Sequence, residues 1–209
     1  MKIAIIGTGS VGSALGRGLA KAGHEVVFGV RDPGKPQVGR LAEETGGHAD
    51  SVAAAAADAE VVVLAMPWGS TQDVIQSAGG LSGKIVLDCI NPLKPDLSGL
   101  DTGSARSAAE QVAAWAPGAR VVKVFNSTGA GNMADPRYGE DRATMLYCGD
   151  DEKAKEVAAR LAADLGFEPV DAGPLSAAYL LEHFAMLWIH LAYGAGLGRN
   201  IAFKLMRRS

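Results

Sequence analysis

The opening run, Met1-Lys-Ile-Ala-Ile-Ile-Gly7-Thr-Gly9-Ser-Val-Gly12, restricts what this chain can become more than any other stretch. It reads as a short apolar strand, a Gly-x-Gly-x-x-Gly turn, and a helix from Ser10 to about Ala22. A strand that feeds a glycine turn and then a helix is the start of a βαβ unit suited to a dinucleotide. Gly7 permits the tight exit from the strand, Gly9 lets backbone approach a pyrophosphate, and Gly12 lets the helix lie close to the sheet. The helix start also presents free N–H groups and a partial positive charge to phosphates.

The rest of the chain continues the alternation. Strands are expected at Glu25–Val30, Glu60–Ala65, Lys84–Cys89 and Arg120–Phe125, with helices at 35–46, 51–57, 71–78 and 104–115. Near-continuous apolar strands such as Glu-Val-Val-Val-Leu-Ala are those of a parallel sheet covered on both faces. The predicted fold is therefore α/β, a doubly wound Rossmann-type parallel sheet. A loop at 134–141 precedes a further strand (142–148), a helix (151–165) with Asp150 as its cap, and a strand (167–171). A long helix (175–193) and a short helix to the terminus form a small carboxyl-terminal extension. The expectation is one domain over 1–209, with the dinucleotide-binding core at 1–133 and the addition at 134–209.

Composition narrows the class. With 48% apolar residues in 209, the chain can build a core without disulfides or metal. A net charge of −3 with no long basic run gives no reason to expect nucleic acid, and the basic tail from Lys204 is read as solvated. Cys89 and Cys148 lie in strand-like runs and are expected as buried free thiols in a reducing compartment. No secretory leader and no apolar run of about 18 residues is evident, so a cytoplasmic protein away from membranes is expected.

The end of the second strand bears on which dinucleotide fits. Phe28-Gly29-Val30-Arg31-Asp32-Pro33-Gly34-Lys35 places Arg31 and Lys35 where a ribose 2′-phosphate would lie. Asp32, turned away to cap the following turn, leaves NADP(H) the expected cofactor. The loops beyond the strand ends, around Met66, Asn91 and Asn126, hold amides, hydroxyls and apolar side chains, with Lys94 as their single titratable group. A site so poor in acids and bases suits hydride transfer between two bound rings, in which the protein positions reactants and excludes water. No catalytic side chain and no metal ligand set is assigned. His183 and His190, seven apart on the last long helix, are expected to pack against the body or a dimer interface.

Together these segments resemble the coenzyme F420-dependent NADP reductases and their bacterial relatives. The resemblance is carried by Gly-Thr-Gly-Ser-Val-Gly12, Val30-Arg31 with Lys35, Met66-Pro67-Trp68, Ser107-Ala108-Ala109-Glu110, Cys148-Gly149-Asp150-Asp151 and Asp171-Ala172-Gly173-Pro174-Leu175. It implies a homodimer that passes hydride between NADP(H) and a deazaflavin stacked over the nicotinamide. Gly7, Thr8, Gly9, Ser10 and Val11 would cradle the pyrophosphate, and Val30, Arg31 and Lys35 would surround the 2′-phosphate. Met66, Ser70, Asn91 and Ala130 would line the groove, and Ile201 would touch the deazaflavin. Val30 replaces a small hydroxyl residue. Asn126-Ser127-Thr128-Gly129-Ala130 departs from the His-Thr-Ile-Pro-Ala of archaeal members toward the bacterial relatives and the reductase domains of membrane metalloreductases. That departure leaves FMN or FAD open as the second cofactor instead of coenzyme F420. An NADPH-dependent reductase of a small carbonyl or imine, and an NADPH-binding sensor without turnover, are the other readings.

Overall fold

The structure, a computed structural model, describes residues 1–103 and 106–208. β1 (Lys2–Ile6) leads through the glycine turn into α1 (Ser10–Lys21), followed by β2 (Glu25–Val30) and α2 (Pro36–Thr45). A short β3 (His48–Ser51), α3 (Val52–Ala57), β4 (Val61–Leu64) and α4 (Thr71–Ser77) come next. β5 (Ile85–Asp88), α5 (Ala108–Trp115) and β6 (Arg120–Lys123) complete the first half of the sheet. Beyond them lie α6 (Ala130–Ala134), a hairpin of β7 (Arg137–Tyr138) and β8 (Asp141–Arg142), then β9 (Thr144–Gly149), α7 (Glu152–Asp164), β10 (Glu168–Asp171) and α8 (Ala178–Ile189).

The main sheet runs β3-β2-β1-β4-β5-β6-β9-β10. Its first six strands are parallel and have the Rossmann order, so the winding reverses between β1 and β4. Period-two alternation explains why both faces are covered. Ile3, Ile5, Val61, Val63 and Leu87 pack with Leu15, Leu19 and Leu161 on one side. Ala4, Ile6, Val62, Leu64 and Val86 pack with Ile75, Val112 and Leu181 on the other.

Several elements differ from the sequence expectation. β9 enters antiparallel to β6, so the sheet is mixed at that junction although β9 and β10 are parallel to each other. The polar edge strand β3 and the hairpin β7–β8 carry no apolar period that would reveal them. Among residues 199–208 no helix forms. This segment instead lies beside β9, where the Phe203 carbonyl accepts from Thr144 N at 2.9 Å and Leu205 N donates to Thr144 Oγ1 at 2.9 Å. Lys204 is accordingly not a solvated tail residue, since its Nζ reaches Asp141 at 2.9 Å and Glu168 at 3.1 Å.

The helix expected over 104–115 begins at Ala108, and Ser104 and Ala105 lie outside the described residues. Ser107 caps it: its Oγ accepts from Glu110 N at 3.2 Å and donates to the Glu110 carboxylate at 3.0 Å. Asp151, not Asp150, caps α7 by accepting from Ala154 N at 2.8 Å, while Asp150 takes Leu175 N at 2.9 Å.

The helical run Leu175–Gly194 has 20 residues and a mean hydropathy of 1.2, so a stretch long and apolar enough to cross a membrane does exist. In this fold Leu181, Glu182, Ala185 and Trp188 bury one side of it against the protein. His183 and His190 are exposed instead of packed against the body.

Candidate functional site

The reversal of winding between β1 and β4 opens a groove of about 530 Å³ at the carboxyl ends of the strands. Gly7, Thr8, Gly9, Val30, Arg31, Lys35, Met66 and Ser70 all line it, bringing most of the expected cofactor residues together. Gly7 has φ +107°, and a Cβ there would sit 2.5 Å from the Ala65 carbonyl oxygen. A Cβ on Gly12 would collide with the Gly7 carbonyl, so the turn and α1 close on each other only without side chains. Gly9 is different: a Cβ on it would meet no protein atom within 4 Å. Protein packing does not require that glycine, which suits a position held open for a ligand's phosphates.

At one end of the groove Arg31, Asp32 and Lys35 are all exposed. Asp32 Oδ1 accepts from Gly34 N at 3.1 Å, so the carboxylate caps its own turn as expected. Neither Arg31 nor Lys35 forms an ion pair among the described residues, and both cations remain available to an anion. Met66 and Ser70 lie on a loop anchored by Trp68, whose ring stacks on Trp115 of α5 at 5.2 Å. The Ser70 hydroxyl donates to the Pro67 carbonyl at 3.0 Å and tightens that loop.

Outside that groove, at the ends of β5 and β6, a second cluster is assembled from distant segments. Asn91 Nδ2 donates to the Asn126 carbonyl at 2.7 Å, and Asn126 Nδ2 donates to Asn91 Oδ1 at 2.9 Å. Beneath this pair, Lys123 Nζ lies 3.0 Å from Asp88 Oδ2 and 3.0 Å from Glu182 Oε1, all three side chains fully buried. Lys123 also donates to the Ile90 carbonyl, and Asp88 Oδ1 accepts from Ile90 N at 2.9 Å. Both polar groups of the residue before Asn91 are thus held by buried charge. Two carboxylates against one ammonium leave an excess negative charge. The start of α5 offsets it, with Ala108 N and Ala109 N donating to Glu182 at 3.0 and 3.2 Å. Burial opposes the charge on Lys123, but Asp88 and Glu182 outweigh it and hold the ammonium's pKa above its ordinary value.

A second cavity of about 230 Å³ adjoins the asparagine pair, walled by Asn91, Leu93, Leu97, Asn126, Thr128, Ala185, Trp188, Ile189 and Tyr193. Lys94 is exposed and lines neither cavity. Tyr193, missed because it lies on the terminal helical run and not at a strand end, is the titratable residue in this second wall. Cys89 and Cys148 are buried thiols. Burial pushes Cys89 well above its usual value and Cys148 up to about 12, so neither is a nucleophile at neutral pH. Among the described residues no group of His, Cys, Asp and Glu is arranged to hold a metal.

The remaining expected residues fall elsewhere. Ser10 and Val11 begin α1, with Ser10 and Ala130 lining a separate surface depression of about 370 Å³ between α1 and α6. Ile201 lines none of these cavities. Its carbonyl accepts from Asn132 Nδ2 and Trp188 Nε1, each at 2.7 Å, which ties the terminal segment to α6 and α8. Lys123, Asp88 and Glu182 were not singled out from sequence. A lysine closing an apolar strand has no local signal that it will be buried.

The family described as "NADP oxidoreductase coenzyme F420-dependent" matches residues 2–92. The chain is 32% identical over 208 residues to the F420-dependent NADP reductase of Methanothermobacter marburgensis, covering 91% of this chain and 92% of that one. It is 31% identical over 188 residues to Metalloreductase STEAP3 of Rattus norvegicus, covering 87% of this chain but 36% of the metalloreductase. The chain therefore spans about a third of that relative's length. A crystal structure from Arthrobacter sp. FB24, provisionally bearing the name F420-dependent NADP-reductase, superposes with a TM-score of 0.89 at 35% identity, over 99% of this chain and 100% of that one.

Proposed function

The chain belongs to the coenzyme F420-dependent NADP oxidoreductases and is an enzyme of that family; from this premise we propose that it passes a hydride directly between NADP(H) and a deazaflavin of the coenzyme F420 type. The observation that carries the reading is the groove that gathers the glycine turn and two unpaired cations; a separate cavity offers amides, hydroxyls and apolar surface. When bound, the nicotinamide supplies the hydride chemistry. The protein's own residues do the rest. Thr8, Gly9, Ser10 and Val11 offer the turn and the α1 N–H groups to the pyrophosphate. Arg31 and Lys35, beside Val30, select the 2′-phosphate. Met66, Ser70, Asn91 and Ala130 orient the nicotinamide half. Ile201 acts on the acceptor side by tying α6 to α8. Trp188 packs where a side chain on Gly129 would stand.

The family premise extends to a homodimer, supported by the outward Leu180 and Leu187 of α8, 53% and 45% exposed. Sedimentation at the mass of one chain would remove that part. The reaction itself is tested by offering the protein and NADPH coenzyme F420, FMN and FAD in separate cuvettes. Bleaching of the deazaflavin alone is expected. Bleaching of a flavin alone would make the protein a flavin reductase on the same scaffold.

Tyr193 gives one specific reason for a second reading, reduction of a small carbonyl or imine with the phenol as proton donor. Substitution Tyr193→Phe separates the two. Ring-to-ring transfer predicts a rate within a few fold of the parent, whereas a general acid predicts a loss of ~10² or more.

A further inference from the structure

The groove that holds the glycine turn has a wall that phosphate binding leaves unexplained. Ser70, Asp73, Val74 and Ser77 recur at helical spacing along α4 and its N-cap, and all four line the groove. The Ser70 and Ser77 hydroxyls are turned back onto their own segment, donating to the Pro67 and Val74 carbonyls at 3.0 and 2.8 Å. Asp73 is exposed, and among the described residues its carboxylate forms neither an ion pair nor a hydrogen bond. Two carboxylates thus border a groove read as holding a polyanion, and only one is accounted for. Asp32 caps its own turn by accepting from Gly34 N at 3.1 Å. A place in the first turn of α4 suits an acid through the helix dipole, but does not explain why that acid borders the groove. Beside a phosphate a free carboxylate is repulsive, so Asp73 fits a part of the ligand that donates.

The two cations indicate which part that is. With the 2′-phosphate at Arg31 and Lys35, the adenine hangs from the neighbouring carbon of the same ribose. The base then lies at this end of the groove, where Val30, Val38, Val52 and Val74 offer apolar surface to a flat ring. Adenine in a dinucleotide has one N–H donor group, its 6-amino group, and an ionised carboxylate is an acceptor only. We infer that Asp73 accepts a hydrogen bond from the 6-amino group of adenine and makes the groove selective for that base. Val74, the next residue, supplies apolar contact to the ring whose edge Asp73 reads. The inference rests on the NADP(H) reading of the groove and adds to it the residue that selects the base.

The test reads equilibrium dissociation constants of the unaltered protein for NADPH and for the analogue whose base is plain purine, lacking only the 6-amino group. Loss of the amine is expected to weaken binding by about tenfold, the equivalent of ~1.4 kcal/mol, because the carboxylate is left facing a C–H edge. Asp73→Ala, at an exposed position, should weaken NADPH by a similar factor and leave the purine analogue within a few fold. The variant then binds the two nucleotides alike. Equal binding of both by the parent, a comparison that needs no variant, would overturn the base assignment and leave the 2′-phosphate reading standing. Equal weakening of both by Asp73→Ala would overturn it in favour of a contact to a part the two share. Equal strengthening of both would also overturn it, as relief of repulsion from the phosphates. A parent that binds neither nucleotide would overturn this inference and the NADP(H) reading together.

Discussion

The dinucleotide groove and the buried cluster at the ends of β5 and β6 are built differently. In the groove the charged determinants are close in sequence and exposed, with Arg31 and Lys35 following directly on β2 and unpaired. In the cluster the determinants are buried, mutually bonded and drawn from β5, β6, α5 and α8. Exposed charge can be removed from the groove at little cost to folding. Charge removed from the cluster leaves buried partners uncompensated. Affinity for the phosphates and stability of the fold are therefore expected to respond to different substitutions.

The largest expected effect lies at the buried cluster. Lys123→Met should destabilise the fold by about 3–5 kcal/mol, read from the urea unfolding midpoint, because Asp88 and Glu182 lose their common cation. A loss below about 1 kcal/mol, the range of surface pairs, would break the comparison. Next comes Arg31→Ala, which should weaken NADPH binding by about 1.5–3 kcal/mol, the scale of hydrogen bonds to a charged group. The same substitution should leave NADH binding unchanged and stability within about 0.5 kcal/mol. Equal losses for NADH and NADPH would remove the 2′-phosphate assignment.

The glycines sharpen the contrast within the turn itself. Gly12→Ala should cost about 1–3 kcal/mol of stability through overpacking against the Gly7 carbonyl. Gly9→Ala should leave the melting temperature in place and lower dinucleotide affinity, since its Cβ faces open space.

The effect smallest near neutral pH is a pH dependence at the buried cluster, which grows as pH rises. The folded pKa of Lys123 is raised, so its contribution is complete below the unfolded value of ~10.4 and lost as pH rises through the folded one. Cys148, pushed up to about 12, has the same sign, and its loss begins near ~8.5, where an unfolded thiol starts to ionise. Urea midpoints should fall as pH is raised above that point in parent and Arg31→Ala protein alike. A midpoint that rose there would contradict the burial argument.

How much of this was legible in sequence follows the same division. The glycine turn, Arg31 and Lys35 are local patterns, and a strand–turn–helix run places them without tertiary information. The asparagine pair and the ion triad are not local: Asn91 bonds Asn126 across 35 positions, and Ala108 meets Glu182 across 74. Glu182 sits in an apolar helix, where composition gives no hint that it caps another helix. Strand direction was hidden for a related reason. The alternation of apolar residues in β9 is the same whether it runs parallel or antiparallel to β6, so only the tertiary pairing reveals the reversal. The terminal segment failed through competition, as Leu, Met and Arg favour helix but Thr144 offers its backbone and hydroxyl to Phe203 and Leu205.

Direct transfer between two rings is the central claim, and an isotope label tests it. NADPH carrying deuterium at its transferring carbon would be mixed with the protein and coenzyme F420, and the reduced deazaflavin analysed by mass and by proton resonance. The account predicts that one face of the nicotinamide delivers its deuterium to the ring carbon of the deazaflavin with no exchange into water. Deuterium recovered in solvent, or NADPH bound without any label reaching the acceptor, would contradict it.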